Sequence, residues 1–192
     1  MLDNFVVLDF ETANPKRASV CQIGVAKVVG GKVAAVHTYP VCPPRGFEVF
    51  HPNNIAVHHL TPSYIEGAPD WPELLDRLVR FTGGLPLLGH NVAFERSVIN
   101  AATIESGLEV PEFDYACTMT LATHSFPGLA AYRLDVVAEE IEIADFGHHD
   151  AGEDARACAD VALALAARVQ VGTLAELRAP LMKKSRRTAR SR

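Results

Sequence analysis

Three strand-like segments lie within the first 39 residues and are joined only by short loops or turns. Residues 5–10 and 20–29 are rich in valine and other apolar residues, and residues 32–39 follow the pair Gly30-Gly31. Two glycines between strand-like segments are typical of a two-residue hairpin turn. The sequence therefore predicts a sheet that begins with antiparallel strands.

Helices and strands alternate in the rest of the chain. Asp70 is a typical N-cap, and Gly83 is a typical stop, for a predicted helix over residues 71–81. The intervening residues 40–69 contain many prolines and predict an irregular chain with short helical turns. Further strands are predicted at 85–89 and 114–118, and further helices at 94–106, 134–140 and 151–169. This alternation is typical of an α/β domain with a mixed sheet.

The charge of the chain is divided unevenly between its body and its last residues. Lysine and arginine number 18 against 23 acids, but residues 183–192 hold six of the basic residues and no acid. The remainder therefore has 12 basic and 23 acidic residues. An acidic body argues against a general nucleic-acid coat protein and is compatible with an enzyme whose acids bind metal ions.

The cysteines indicate the redox compartment rather than a site. They are widely spaced and include no C-x-x-C pair, at Cys21, Cys42, Cys117 and Cys158. This spacing argues against a thiolate zinc site and predicts free thiols in a reducing compartment. The apolar run at the N-terminus is too short for a signal peptide, and no apolar stretch approaches the ~20 residues of a membrane span. We therefore expect a cytoplasmic protein.

Two acids, Asp9 and Glu11, end the first predicted strand. Residues two apart on a strand point to the same face, and two carboxylates there repel each other unless a cation lies between them. Divalent ions such as Mg²⁺ and Mn²⁺ prefer such oxygen ligands. The alternative is a solvated strand end whose acids face water.

A second cluster lies where a predicted strand leads into a helix, which is a usual place for ligands in α/β sheets. It contains His90, Asn91 and Glu95. Glu95 is either a site residue or an ordinary first-turn acid that complements the helix dipole. His90 and Asn91 are predicted to be structural residues that fix the turn.

A third cluster, with His149 and Asp154, spans the start of the last predicted helix. A histidine there can accept a proton near neutral pH, and an acid one turn into the helix can reach the same site. The alternatives are a surface histidine and a helix-terminal acid. A zinc site built from the histidine pairs at 58–59 and 148–149 has no supporting cysteine or acid spacing.

Together, the three clusters resemble the motifs of one enzyme family. In chain order they read Asp9-Phe10-Glu11-Thr12, His90-Asn91-x-x-Phe94-Glu95 and His149-x-Ala151-x-x-Asp154. Three motifs in this order resemble the DnaQ-like (DEDDh) 3′–5′ exonucleases, the family that includes the proofreading epsilon subunit of bacterial DNA polymerase III. The similarity extends from about residue 5 to about residue 169. The chain departs from the pattern at Glu95, where the family normally has aspartate.

Three segments between the motifs also resemble the family. Residues 20–24 (VCQIG) are similar to its second strand, and residues 133–135 (RLD) to the helix start before the third motif. Residues 57–61 (VHHLT) are similar to its V-H-G-I-T segment, with His59 in place of the glycine.

The resemblance implies a ribonuclease H-like fold, with a central mixed five-stranded sheet flanked by helices. It also implies a site for two divalent cations, Mg²⁺ or Mn²⁺. By similarity, Asp9 bridges the two ions, and Glu11 and Asp154 complete the site of the ion on the nucleophile side. Glu95 supports the other ion.

The remaining roles implied by the resemblance concern the proton and the substrate. His149 is expected to be the general base that deprotonates the attacking water. Phe10 and Thr12 match positions of the terminal-nucleotide pocket, with strand packing as the alternative.

We therefore predict a 3′–5′ exonuclease that acts on a single-stranded or frayed 3′ end of DNA, with a DNA polymerase as a candidate partner. One alternative is an exoribonuclease that trims RNA. Another is a catalytically weak accessory domain of a polymerase, against which the complete set of four acids and a histidine argues.

The expected domain division is an exonuclease domain at residues 1–178 and a basic, disordered tail at residues 179–192. The tail is interpreted as a sequence-independent phosphate contact, a partner-binding segment or a solvated end.

Overall fold

The computed structural model describes residues 3–143, 147 and 149–176, and they form one mixed sheet with helices on both faces. The strands run in the order β3-β2-β1-β4-β5. β1–β2 and β2–β3 are antiparallel, whereas β1–β4 and β4–β5 are parallel. The strands are β1 Phe5–Thr12, β2 Val20–Val29, β3 Lys32–Pro40, β4 Leu87–Gly89 and β5 Tyr115–Cys117. The predicted mixed five-stranded sheet is confirmed.

Six α-helices and one 3₁₀ turn surround the sheet in the described part of the chain. The helices are α1 Pro52–His58, α2 Trp71–Thr82, α3 Ala93–Glu105, α4 Thr118–Ser125, α5 Leu134–Glu140 and α6 Ala151–Arg168, and the 3₁₀ turn is Pro62–Ile65. No helix among the described residues is both long enough and apolar enough to span a membrane.

The central strand β1 separates two hydrophobic cores because its side chains alternate between the faces of the sheet. Phe5 and Val7 pack into a core with α4, α5 and α6, whereas Val6 and Leu8 pack into a core with α2 and α3. All four side chains are buried. Burial on both faces explains why this strand is an apolar run rather than an alternating pattern.

Helix α2 lies where its predicted N-cap and stop residues indicated. The Asp70 side chain accepts a hydrogen bond from the Glu73 backbone N–H, and Gly83 ends the helix in the left-handed conformation at φ 57°. Helix α4 was not predicted, because residues 118–125 contain three threonines and have low intrinsic helix propensity. This helix is instead stabilised by packing, since Leu121 and Ala122 are buried in the core beneath it.

Candidate active site

The carboxylates of the first motif lie on one face at the end of β1. Asp9 and Glu11 are both partly buried, and Phe10 between them points to the other face. Burial, followed by the negative charges of Glu95 and Asp154, raises the pKa of Asp9 well above its ordinary value. Burial and the nearby acids also raise the pKa of Glu11 to about 8. The end of β1 therefore brings together carboxyl groups whose charged forms are costly unless a cation compensates them.

Glu95 approaches Asp9 from the first turn of α3. Its side chain is 2% exposed, and its Oε2 atom has no hydrogen-bond partner among the described residues. A methyl group on Gly89, the last residue of β4, would lie 3.0 Å from that oxygen, so the glycine leaves the room that the carboxylate occupies. Burial is the largest cause that raises the pKa of Glu95 to about 8.

The third motif forms the start of α6. The side chain of Asp150 caps this helix by accepting hydrogen bonds from the backbone N–H groups of Gly152 and Glu153. Asp154 Oδ2 accepts a hydrogen bond from the backbone N–H of His149 at 3.0 Å, which ties the loop to the helix. His149 itself has a left-handed backbone, at φ 68°.

Candidate ligand atoms from β1 and α6 come together at this point. One atom from each of Glu11, His149 and Asp154 lies within 4.8 Å of the other two. Such a group of carboxylate and imidazole ligands could hold a divalent ion. Among the described residues neither His58 nor His59 belongs to such a group, and His148 lies outside those residues.

Three residues without an assigned role position α6 against the sheet. Gln22 in β2 accepts a hydrogen bond from the backbone N–H of Ala151 through Oε1, at 2.9 Å. Gly24 pairs with Asp9 across the sheet, and a Cβ there would lie 1.8 Å from the Ala151 carbonyl oxygen. A Cβ on Gly152 would lie 2.0 Å from Thr38 Oγ1. The sequence contained a signal for this contact, because the amide of Gln22 and the glycine at position 24 interrupt the otherwise apolar strand β2.

The structure places the two expected substrate residues differently. Phe10 is 3% exposed and packs against Trp71, with 6.0 Å between ring centroids. This agrees with the alternative interpretation of Phe10 as a residue that packs within the strand. It is not brought to the carboxylates. Thr12 ends β1 beside the site, and its carbonyl oxygen accepts hydrogen bonds from Asn54 Nδ2 at 2.8 Å and His58 Nε2 at 3.2 Å. Its contact with substrate stays a prediction.

A groove of about 680 Å³ opens beside the carboxylates. Asp9, His149 and Asp154 line it, together with residues of β4's end and of the loop before α5, among them His90 and Arg133. The groove is large enough to admit part of an extended chain, and Asp9 and Asp154 are the candidate carboxylate ligands among the residues that line it.

Residues 6–162 match the model of the RNase T family, which is described as exonuclease. The chain belongs to this exonuclease family. The resemblance to DnaQ-like exonucleases, and the nuclease class that it implied, are thereby confirmed.

Relatives of this exonuclease include components of bacterial DNA polymerase III. The chain is 28% identical over 185 residues to a PolC-type DNA polymerase III of Caldanaerobacter subterraneus subsp. tengcongensis, covering 94% of the chain but only 13% of that protein. It is 29% identical to the DNA polymerase III epsilon subunit of Aquifex aeolicus, covering 82% of the chain and 77% of that subunit. The chain thus spans a small part of the PolC-type relative and most of the epsilon subunit.

A solved structure shares the fold. Exonuclease X in complex with 5′-overhanging duplex DNA superposes with a TM-score of 0.68 at 22% sequence identity. The match covers 87% of this chain and 92% of the other. The predicted ribonuclease H-like architecture is therefore confirmed.

Proposed function

We propose that this chain is a metal-dependent 3′–5′ exonuclease that removes nucleotides from the 3′ end of DNA. The observation that carries the proposal is the convergence of four acids, Asp9, Glu11, Glu95 and Asp154, with His149 beside one groove. Membership of the exonuclease family supports the same reaction class.

The donor set fits two divalent cations. Burial raises the pKa values of Asp9, Glu11 and Glu95, and neighbouring carboxylates add to the effect at Asp9 and Glu11, so the charged forms of these groups are costly unless positive charge is supplied. In this proposal Asp9, Glu11 and Asp154 would hold one ion, and Asp9 and Glu95 would hold the other. Both Mg²⁺ and Mn²⁺ suit this oxygen-rich set. Bound ions of this kind lower the pKa of a water molecule and stabilise the charge on attacking and leaving oxygens.

His149 is the proposed general base. It lies beside Glu11 and Asp154, where it can accept the proton of the water that attacks the phosphodiester. The hydrogen bond from its backbone N–H to Asp154 fixes the loop from which its ring extends. The 3′-terminal nucleotide then leaves as a nucleoside monophosphate, and the shortened strand retains a 3′-hydroxyl.

The proposed substrate is a single-stranded or frayed DNA end, and the proposed partner is a DNA polymerase. The names of the two polymerase III relatives support both, as does the DNA bound in the Exonuclease X structure. All four cysteines are free, which supports the proposed location in the reducing cytoplasm.

A cleavage assay on three substrates tests the proposal. Single-stranded DNA, a duplex with a mismatched 3′ end, and RNA, each labelled at the 5′ end, are incubated with wild type, Asp9→Asn and Asp76→Asn. Asp76 is an exposed acid on α2 and serves as the matched control. We expect stepwise shortening of both DNA substrates by wild type and Asp76→Asn, and none by Asp9→Asn.

The same assay separates the alternatives. Shortening of RNA in preference to DNA would replace the proposed substrate with the exoribonuclease alternative. Binding without cleavage in Mg²⁺ or Mn²⁺ would favour the accessory domain. Full activity in EDTA would contradict the metal-dependent mechanism.

A further inference from the structure

His90 makes two long-range hydrogen bonds at the edge of the groove. Its Nδ1 atom lies 2.8 Å from Thr118 Oγ1, and its Nε2 atom lies 2.7 Å from the carbonyl oxygen of Tyr132. These partners are 28 and 42 residues away along the chain. A residue that served only the turn after β4 would not need either contact.

The partners determine the protonation of the ring. A carbonyl oxygen can only accept, so Nε2 carries the hydrogen that is donated to Tyr132. In a neutral ring Nδ1 then accepts, and the hydroxyl of Thr118 donates to it. Burial lowers the pKa of His90, which favours this neutral form. Thr118 Oγ1 is also 3.2 Å from the buried Cys158 Sγ, so the connection extends into α6.

Tyr132 closes the loop that His90 holds. This loop, residues 126–133, joins α4 to α5. The Tyr132 hydroxyl donates to the carbonyl oxygen of Phe126 at 2.7 Å and accepts from the backbone N–H of Gly128 at 3.1 Å. The loop is therefore tied to itself through the Tyr132 side chain and to the sheet through the Tyr132 backbone. Its next residue, Arg133, lines the groove.

Arg133 has the charge and the shape to contact a phosphate. It is the only lysine or arginine among the described residues that line the groove. Its side chain is 74% exposed, and its guanidinium group makes two hydrogen bonds to Asp135, of 3.2 and 2.8 Å. This fork holds the cation at the rim, where a planar guanidinium can also bind phosphate oxygens in pairs.

We propose that His90 is a positioning residue which holds the loop at residues 126–133 so that Arg133 contacts a backbone phosphate of the substrate strand. The proposal rests on the proposed function, since it requires a nucleic-acid strand in the groove. His90 acts through Tyr132 and Arg133 and does not take part in the hydrolysis.

Two substitutions of His90 separate its two contacts. His90→Gln can still donate from the position of Nε2 to Tyr132, whereas His90→Asn can only reach the position of Nδ1 and loses Tyr132. We expect His90→Asn to raise the KM for single-stranded DNA about tenfold, the effect of losing one buried hydrogen bond, with kcat changed by less than about threefold. His90→Gln should largely restore KM, and Arg133→Ala should raise KM as His90→Asn does. His124→Asn, at an exposed histidine of α4, is the control.

Limited trypsin digestion provides a readout that does not depend on activity. Mass spectrometry follows the rate of cleavage after Arg133, with cleavage after Arg96 in α3 as the reference. Cleavage after Arg133 should be faster in His90→Asn than in wild type or His90→Gln.

Unchanged cleavage after Arg133 in His90→Asn would overturn the positioning role, and an unchanged KM in Arg133→Ala would overturn the phosphate contact. Equal losses of kcat in both His90 variants would instead make His90 part of the catalytic machinery. A wild type that binds DNA but does not cleave it would contradict the proposed function and leave the digestion result to decide the role of His90.

Discussion

At Glu95, one additional methylene separates the carboxylate from the backbone, compared with the aspartate usual in the family. The side chain is accommodated because Gly89 leaves space beside it. The carboxylate is buried, and Oε2 has no hydrogen-bond partner in the described part of the chain. A buried acid in this state is costly unless a cation reaches it.

The length of this side chain gives a prediction about metal use. We expect Mn²⁺ to support cleavage at least as well as Mg²⁺, because Mg²⁺ requires near-ideal octahedral geometry that a longer arm holds less well. Glu95→Asp should retain activity, and Glu95→Ala should lose most of it. The measurement is a cleavage rate for each protein with each metal. If Glu95→Ala were as fast as wild type, another residue would have to support the second ion.

The pKa of Glu95 gives a prediction about stability without metal. Its folded-state pKa of about 8 lies above the ordinary value of 4.5, so the folded state binds a proton that the unfolded state has released across this window. Raising the pH from 4.5 to 8 therefore lowers the free energy of unfolding. Glu95→Gln removes this loss and should stabilise the metal-free protein at pH 8 by about 1–3 kcal/mol, the cost of a buried unpaired polar group.

The check is urea unfolding in EDTA at pH 5 and pH 8. Glu105→Gln, at an exposed acid at the end of the same helix, is the control and should change little at either pH. A Glu95→Gln effect of equal size at both pH values would mean that the carboxylate is not protonated in the folded state.

His149 carries the prediction for the proton transfer. His149→Ala should lower kcat by about 10²–10⁴-fold, the usual contribution of a positioned general base, and leave DNA binding nearly unchanged. Single-turnover rates and binding by fluorescence anisotropy would measure the two effects separately. His148→Ala is the neighbouring control. If His148→Ala lowered kcat more than His149→Ala, the general base would be His148, and its assignment to His149 would be wrong.

At the scale of elements, the contact between β2 and the start of α6 sets the geometry of the site. The backbone of α6 approaches β2 so closely that a Cβ at position 24 would overlap the Ala151 carbonyl group, and Gly152 in α6 lies in the same way against the Thr38 side chain of β3. Gln22 adds a directional hydrogen bond to the first residue of the helix. Because Asp154 and His149 flank this helix start, their distance from Glu11 depends on the packing of α6 against β2.

Gly24→Ala tests that dependence. The added methyl group would overlap the Ala151 carbonyl oxygen, so α6 must move outward. We expect a loss of about 1–3 kcal/mol of stability, typical of overpacking, together with a loss of activity larger than stability explains. Thermal unfolding and cleavage rates at a temperature where the variant is folded would show both. Gly107→Ala, at a glycine with φ 72° and open surroundings, controls for backbone strain alone and should keep normal activity.

At the scale of the whole molecule, the net negative charge of the protein repels the phosphates of the proposed DNA substrate. The chain has a formal net charge of −5, and its site is lined with acids, while six basic residues lie at 183–192. The division into an exonuclease domain at 1–178 and a tail at 179–192 stays a prediction, because residues 177–192 lie outside those that the structure describes.

Deleting residues 183–192 tests the tail. If its lysines and arginines neutralise phosphates, the truncated protein should bind single-stranded DNA more weakly, and its affinity should depend less steeply on salt. The measurement is Kd at a series of salt concentrations for both proteins. An unchanged slope would exclude phosphate contacts and favour partner binding or a solvated end. Cleavage chemistry at saturating DNA should be the same in both.

Sequence alone determined most of the architecture. The three early strands, the turn at Gly30-Gly31 and the capped helix α2 were predictable, because period, turn residues and caps act locally. Helix α4 could not be predicted in this way, because its threonines favour other conformations. Packing against the core beneath it stabilises the helix. The three acidic motifs could likewise be found in the sequence, because their residue types and order are specific.

Tertiary structure decided which of those residues share one site. Phe10 matched the nucleotide pocket by resemblance, and only the fold shows that its ring packs against Trp71 in the core. Gln22 and Gly24 had no apparent role until α6 was seen to pack against them. His90 was predicted to fix a local turn, yet its partners are Thr118 and Tyr132. The physical reason is the same in each case. Hydrogen bonds and close packing between distant segments depend on how those segments are arranged in space, and a local sequence pattern contains no information on that arrangement.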